Sequence, residues 1–177
     1  MRVLGIDPGT VHTGYGLIED ADEPRLVECG VLAAAASAPI EQRLLTMYRG
    51  LVELIGRTAP HAVAIEEPFV VQAARKSAMA VGEARAMALI AAAGAGIPVW
   101  QYTPTHVRQT VTSYGASGKE QVQQMVSLLL RQPLAGESLD ACDALAVAIC
   151  HLRQARLGEM IGEQQPPPRK SPRRTAR

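Results

Sequence analysis

Apolar residues recur at two different periods along the chain, and these periods predict the order of strands and helices. Short apolar segments bounded by turn-forming residues indicate five strands. The predicted strands cover residues 2–7, 13–19, 25–33, 61–66 and 97–102. Longer segments with apolar residues three or four positions apart indicate helices. The predicted helices cover residues 40–58, 71–93, 104–112, 119–131 and 138–157.

The first predicted helix shows the helical period most clearly, with Pro39 near its start. Its apolar positions would form the face that packs on the sheet. They are Leu44, Leu45, Tyr48, Leu51, Val52 and Ile55.

The element order predicts an α/β fold built on one mixed sheet of five strands. Three strands in close succession favour an antiparallel meander, whereas a crossover through a helix makes the first and fourth strands parallel. The strand order is therefore predicted as 3-2-1-4-5, with helices on both faces. In such sheets, functional residues gather at the carboxyl ends of the central parallel strands.

The length fits one domain, predicted over residues 1–157, followed by a polar, proline-rich tail over 158–177 that we expect to be disordered. From Pro166 onward the tail holds five of the 18 basic residues and no acid. The remaining 13 basic residues stand against 17 acidic ones, a net charge of −4. The overall charge therefore does not indicate a nucleic-acid binder, and DNA contacts must come from local basic patches or the tail.

No run of about 18 uncharged apolar residues occurs and the N-terminus lacks a signal-peptide pattern, so we predict no membrane association. The three cysteines, Cys29, Cys142 and Cys150, are odd in number and lack CxxC spacing. This argues against a disulfide framework or a structural zinc site and fits a reducing cytoplasm. Cys150 adjoins His151, but neighbours on a helix point about 100° apart, which disfavours a joint metal site.

Two acidic residues end strands that the topology makes neighbours. Asp7 closes the first strand and Glu66 closes the fourth, so their carboxylates would lie side by side at the carboxyl edge. Close anions raise one another's pKa unless a cation compensates. Taken singly, Asp7 could instead be a turn former before Pro8 and Gly9, and Glu66 a solvated strand end.

Two further acids share one face of the last helix, because Asp140 and Asp143 are spaced i, i+3. Asp140 could simply favour the positive end of the helix macrodipole. Asp143 precedes the apolar run 144–149, and no basic residue lies within helical reach of it until His151 and Arg153, both too far along. An acid that borders a buried face in this way needs a partner.

Together these motifs contribute four carboxylates and no paired Lys or Arg. Such oxygen-rich sites suit Mg²⁺, for which Mn²⁺ can substitute. Two ions ~4 Å apart can activate water and stabilise the leaving oxygen of a phosphodiester. The pattern of Asp7, Glu66, Asp140 and Asp143 therefore indicates metal-dependent phosphoryl-transfer chemistry.

Three segments resemble the signature segments of the RuvC family of Holliday-junction resolvases: GIDPGTVHTGYG at 5–16, AIEEPF at 64–69 and DACDALAVAI at 140–149. The intervening QTVTSYGASGKEQVQQMV at 109–126 is similar too, so the resemblance spans roughly residues 1–155. It implies an RNase H-like fold and a homodimer that nicks two strands of a four-way DNA junction symmetrically during recombination and repair. It also implies Mg²⁺ dependence, 5′-phosphate and 3′-hydroxyl ends, and the RuvA–RuvB branch-migration complex as a partner.

Carried over by position, the resemblance assigns metal binding to the same four acids, with aspartate at 140 where some family members have histidine. Phe69 matches an aromatic residue that family members insert among the bases of the junction. Lys119 matches a lysine near the scissile phosphate, and Arg108 a position that is lysine in some relatives. Arg and Lys are not interchangeable at close phosphate contacts, and Phe69 could instead be a core residue.

Three neighbours of the Phe69 segment carry charge. Arg75 and Lys76 follow it and are candidate contacts to the DNA backbone, although each could equally be a solvated surface charge. Glu67 should point to the face opposite Glu66 if the strand continues, so it is not assigned to metal.

Three alternative functions are open at this point. A strand followed by Asp-x-Gly-Thr also begins the phosphate-binding loop of actin-like and sugar-kinase ATPases, but those need two lobes, and no GxxxxGK[ST] motif occurs here. A YqgF-type nuclease would share the fold and act on RNA. A junction-binding protein without activity would use the carboxylates structurally.

Overall fold

The computed structural model of the chain describes residues 1–67 and 75–160. In this part of the chain the five strands are β1 Arg2–Asp7, β2 His12–Glu19, β3 Arg25–Ala33, β4 Ala62–Glu66 and β5 Val99–Tyr102. The five helices are α1 Ile40–Thr58, α2 Arg75–Gly94, α3 Pro104–Thr112, α4 Lys119–Leu129 and α5 Leu139–Met160.

The strands form one sheet in the order β3-β2-β1-β4-β5, which confirms the predicted topology. β1 pairs antiparallel with β2, and β2 pairs antiparallel with β3. β1 and β4 pair in parallel, and so do β4 and β5. The carboxyl ends of β1, β4 and β5 therefore meet at one edge of the sheet.

Helices cover both faces of the sheet, and the alternation of side chains along each strand divides the core in two. Val3 of β1 packs in the cluster formed with α3, α4 and α5. Its neighbour Leu4 packs in the cluster formed with α1 and α2 on the other face. Because successive side chains of a strand point to opposite faces, β1 is buried on both sides.

Glycines on the central strands allow α5 to lie close against the sheet. A Cβ on Gly5 would meet the carbonyl oxygen of Ala144 at 2.0 Å, and one on Gly14 would meet the carbonyl oxygen of Asp140 at 2.0 Å. Only a residue without a side chain leaves room for this approach of helix backbone to strand backbone. These glycines therefore fix the distance between α5 and the carboxyl edge.

The prediction of the packed apolar face of α1 is wrong at two positions. Leu45 and Val52 are exposed by 46% and 44%, whereas the buried stripe consists of Met47, Leu51, Leu54, Ile55 and Thr58. The sequence offers apolar residues on more than one face of this helix, and the sheet covers only one.

Several element ends differ by a few residues from the predicted ones. α4 ends at Leu129 and α5 continues to Met160 instead of ending at Leu157. The expected boundary of the domain at 157 and the expected disorder of the tail stay predictions, because residues 161–177 lie outside the described part. None of the described helices has the length and apolar character needed to cross a bilayer.

The adjacent Cys150 and His151 are both buried and point to different partners, as expected for neighbours on a helix. The Cys150 thiol contacts Thr110 Oγ1 at 3.6 Å, whereas His151 Nδ1 lies 2.7 Å from the Tyr102 hydroxyl. Burial lowers the pKa of His151 to about 4. The two residues therefore form parts of the core and not a joint metal site.

Candidate active site

Asp7 and Glu66 lie next to each other at the carboxyl edge, because β1 and β4 are parallel neighbours. Ile6 pairs with Ile65 in the register, so the residues that follow them end the two strands side by side. Both acids line a cleft of about 170 Å³. The sequence-based prediction that these two carboxylates converge is therefore confirmed as a matter of geometry.

α5 brings the third acid to the cleft. Its first turn begins after Ser138, whose hydroxyl accepts a hydrogen bond from the amide of Ala141 at 3.1 Å. Asp143 then lines the cleft with Asp7 and Glu66. Asp140 lies one turn earlier, beside Gly14, and acts on Asp7 through its charge without lining the cleft itself.

Two basic residues complete the cleft, one from α3 and one from α4. Lys119 is the first residue of α4, and its Nζ donates to Asp143 Oδ2 at 2.6 Å. Arg108 extends from α3 toward Glu66, where its charge favours the ionised carboxylate. Asp143 thus has the cationic partner that its position requires, but this partner comes from another helix and not from α5.

Apolar residues form the rest of the wall, and no sequence-based argument identified them. Pro104, Val107, Val122 and Ala146 line the cleft from α3, α4 and α5. Their only sequence feature is their place on the buried faces of these helices, which they share with ordinary core residues. What distinguishes them is their contact with the cleft, and that depends on the packing of three helices.

The electrostatics of the cleft oppose ionisation of the two central carboxyls. Burial raises the pKa of Glu66 well above its usual range, and the charges of Asp7 and Asp143 raise it further. Burial also raises the pKa of Asp7, with smaller contributions from Asp143 and Asp140, while Glu66 and Lys119 oppose the rise. Full ionisation of these carboxyls would therefore need more positive charge than the basic residues of the cleft supply.

This shortage of positive charge and the all-oxygen donor set fit a hard divalent cation. Yet among residues 1–67 and 75–160, no three acidic, histidine or cysteine side chains are grouped closely enough to hold a metal ion as they stand. Lys119 occupies one oxygen of Asp143. Ligation by Asp7, Glu66 and Asp143 therefore requires their side chains to rotate inward and Asp143 to release the ammonium group.

Three other predicted residues cannot be placed relative to the cleft, and a fourth acid does not line it. Phe69 lies outside the described residues, as do the side chains of Arg75 and Lys76 at the start of α2. Glu67 is exposed and lies 3.9 Å from Arg85, away from the cleft lining. Glu67 therefore does not face the other acids.

Comparison with known proteins gives a consistent result over most of the chain. The family model described as crossover junction endodeoxyribonuclease RuvC matches residues 3–151. A curated crossover junction endodeoxyribonuclease RuvC from Dehalococcoides mccartyi is 48% identical over 164 residues, which is 92% of this chain and 98% of that protein. Another from Chloroflexus aggregans is 47% identical and covers 92% of this chain and 99% of its own length.

Solved structures show the same likeness in three dimensions. The T. thermophilus RuvC in complex with Holliday junction substrate superposes with a TM-score of 0.80 at 34% identity, covering 89% of this chain and 97% of that one. The yeast mitochondrial Holliday junction resolvase Ydc2 superposes with a TM-score of 0.62 at 19% identity, covering 90% of this chain and 83% of its own. The architecture is thus RNase H-like, and the acidic cleft lies where the central strands of that fold end.

Proposed function

The chain belongs to the RuvC family of crossover junction endodeoxyribonucleases, and from this premise we propose that it resolves Holliday junctions during homologous recombination and DNA repair. The family match extends from residue 3 to residue 151, so it includes every element that lines the cleft. The substrate in this proposal is four-way DNA, the ligand named for the T. thermophilus relative.

One observation carries the proposal. Three carboxylates from β1, β4 and α5, far apart in sequence, meet two cationic side chains in one cleft at the carboxyl edge. Crowded acids with raised pKa values are typical of sites that hold divalent cations for work on phosphodiesters. A purely structural role would favour pairing each acid with its own base, and Asp7 and Glu66 make no ion pair within the described residues.

Two divalent ions, Mg²⁺ with Mn²⁺ as a substitute, are proposed as the cofactor, held by Asp7, Glu66, Asp140 and Asp143. When bound, they would activate the attacking water as Lewis acids and neutralise the leaving 3′-oxygen, and breakage of the P–O3′ bond would leave 5′-phosphate and 3′-hydroxyl ends. The residues of the chain do the positioning. Asp7 and Glu66 must lose their protons to take part, and Lys119 and Arg108 offer positive charge to the phosphate oxygens beside the acids.

The DNA interface in this proposal extends from the cleft across the carboxyl edge. Phe69 would insert among the junction bases, and Arg75 and Lys76 would contact the backbone beside it.

Two symmetric nicks require two equivalent sites, which supports a homodimer. The further proposed partner is the RuvA–RuvB branch-migration complex, and the proposed compartment is the cytoplasm, in keeping with three free cysteines.

The test compares the wild-type chain with Asp7→Asn on a synthetic four-way junction and a linear duplex, with and without Mg²⁺. We expect paired nicks in the junction only with Mg²⁺, and a loss of at least about a thousandfold in Asp7→Asn while junction binding persists. Glu67→Gln is the matched control, since it removes a neighbouring acid outside the cleft and should cleave normally. Normal cleavage by Asp7→Asn would refute the assignment.

Two added arms separate the competing functions. Structured RNA in place of the junction tests the YqgF-type alternative, and release of phosphate from ATP tests the ATPase alternative. Preferred cleavage of RNA, or hydrolysis of ATP that does not depend on DNA, would overturn the resolvase proposal. Binding of the junction without cleavage in the presence of Mg²⁺ or Mn²⁺ would favour a junction-binding protein without nuclease activity.

A further inference from the structure

Arg43 is a partly buried charged residue of α1. It lies four residues before the fully buried Met47 and so continues the buried stripe of the helix by one turn toward its N-terminus. The residue is half-buried, and its Nε is buried without any hydrogen-bond partner. An orphaned buried donor is rare in folded proteins and calls for a physical explanation.

The guanidinium of Arg43 reaches the loop that follows the first catalytic acid. Its Nη1 donates to Thr10 Oγ1 at 3.3 Å. Thr10 is three residues beyond Asp7, so their Cα atoms are separated by at most about 11 Å. The cationic group therefore lies at the carboxyl edge of the sheet, beside the acidic cleft.

The guanidinium has no carboxylate partner in residues 1–67 and 75–160. Most arginines of this part of the chain contact an acid within 4 Å, namely Arg2, Arg25, Arg57, Arg85, Arg131 and Arg156. A half-buried cation without a counter-ion costs free energy. An anion supplied from outside the chain would remove this cost.

We infer that Arg43 and Thr10 together bind a backbone phosphate of the DNA strand that enters the cleft. The planar fork of a guanidinium matches a phosphate group in geometry and charge, and the Thr10 hydroxyl can donate a further hydrogen bond. The inference rests on the proposed function, which brings DNA to this edge. It adds a contact on the side of the cleft opposite Lys119 and Arg108, which come from α4 and α3 on the other face of the sheet.

The experiment measures junction binding in EDTA, so that cleavage does not interfere, from about 50 to 200 mM salt. Losing one phosphate contact should reduce the slope of log affinity against log salt by about 0.9 and weaken binding roughly three- to tenfold at about 0.1 M salt. Arg43→Gln should show both effects on every junction sequence. Arg49→Gln is the matched control, because Arg49 is an exposed arginine of the same helix without an ion pair in the described residues.

A second variant separates phosphate binding from a structural role in the Thr10 loop. Arg43→Lys keeps the charge and loses the fork, so it should keep the wild-type salt slope and bind a few times more weakly. This comparison also serves if Arg43→Gln fails to fold. Wild-type affinity in Arg43→Lys, or a wild-type slope in a folded Arg43→Gln, would overturn the inference.

The two levels of proposal fail in different ways. A wild-type protein that shows no preference for the junction over linear duplex contradicts the proposed function, whatever Arg43 does. A wild-type protein that prefers the junction, together with an Arg43→Gln variant of unchanged salt slope, contradicts only the role of Arg43.

Discussion

At the scale of single residues, the carboxyls of Asp7 and Glu66 are easier to protonate in the fold than in the unfolded chain. Burial is the main cause for both, and each lies in the field of neighbouring acids. Between the usual carboxyl pKa near 4 and the raised values, the folded metal-free protein holds protons that the unfolded chain has released. The stabilisation that these bound protons give the fold is complete below about pH 4. It is lost as the pH rises through the raised pKa values of the two carboxyls in the folded protein.

The metal-free protein should therefore lose on the order of 4 kcal/mol of this contribution between pH 5 and pH 8. Denaturant unfolding in EDTA at the two pH values measures the change. Glu66→Gln should flatten the dependence, because its amide does not titrate, whereas Glu67→Gln should leave it as in the wild type. A wild-type dependence in Glu66→Gln would contradict the assigned cause.

Lys119 forms an ion pair with Asp143, and the proposed binding of a divalent ion by Asp143 would disrupt this pair. Although burial opposes it, the hydrogen bond with Asp143 raises the pKa of the Lys119 ammonium, so Lys119 stays charged at neutral pH. Lys119 is half exposed, and such pairs contribute at most about 1 kcal/mol. Lys119 is therefore the counter-ion of Asp143 in the metal-free protein.

Replacing this ammonium should make metal binding easier and cleavage slower. Lys119→Gln should bind Mn²⁺ roughly two- to fivefold more tightly in the absence of DNA, because Asp143 is free to turn inward. Isothermal titration calorimetry gives the affinity, and Lys119→Arg, which keeps the charge, is the control. Equal or weaker Mn²⁺ binding in Lys119→Gln would show that the ion pair does not compete with metal.

At the scale of elements, the approach of α5 to β2 sets the position of two acids. Asp7 pairs with Gly14 in the register of β1 and β2, and the backbone of Asp140 lies directly over Gly14. A methyl group at this position would meet backbone atoms at 2.0 and 2.4 Å, and neither can move without the helix. The missing side chain of Gly14 therefore determines how near Asp140 and Asp143 come to Asp7.

Gly14→Ala should displace the start of α5 and lower stability by about 1–3 kcal/mol. Cleavage and Mn²⁺ affinity should fall together, since the acids no longer converge. Gly56→Ala is the control, because a methyl group there meets nothing within 4 Å and α1 should gain up to about 1 kcal/mol. Guanidinium unfolding and calorimetry measure both effects, and a Gly14→Ala protein with normal Mn²⁺ affinity would contradict this account.

At the scale of the whole molecule, one chain supplies one acidic cleft of this composition among its described residues, whereas symmetric nicking of a junction would need two. Sedimentation at working concentration should therefore give about twice the chain mass of 18.9 kDa. A chain that sediments as a monomer both alone and on the junction would contradict the dimer. Paired nicks made by a proven monomer would do so as well.

The sequence by itself determined the sheet order, the convergence of Asp7 with Glu66, and the face that carries Asp143. These features follow from periods of two and of 3.6 residues and from strands that must bury both faces. Each can be read from residues close together in the chain, combined with the rules that connect strands in order.

Only the tertiary structure decided which groups from different elements touch. The pairing of Lys119 with Asp143, the reach of Arg43 to Thr10, and the exposure of Leu45 and Val52 all depend on how helices approach the sheet. These distances are set by packing between segments tens of residues apart in the sequence. The spacing of apolar residues within one element does not predict them. For this reason, the balance of acidic and basic side chains in the cleft, on which the proposed metal binding depends, is a property of the fold.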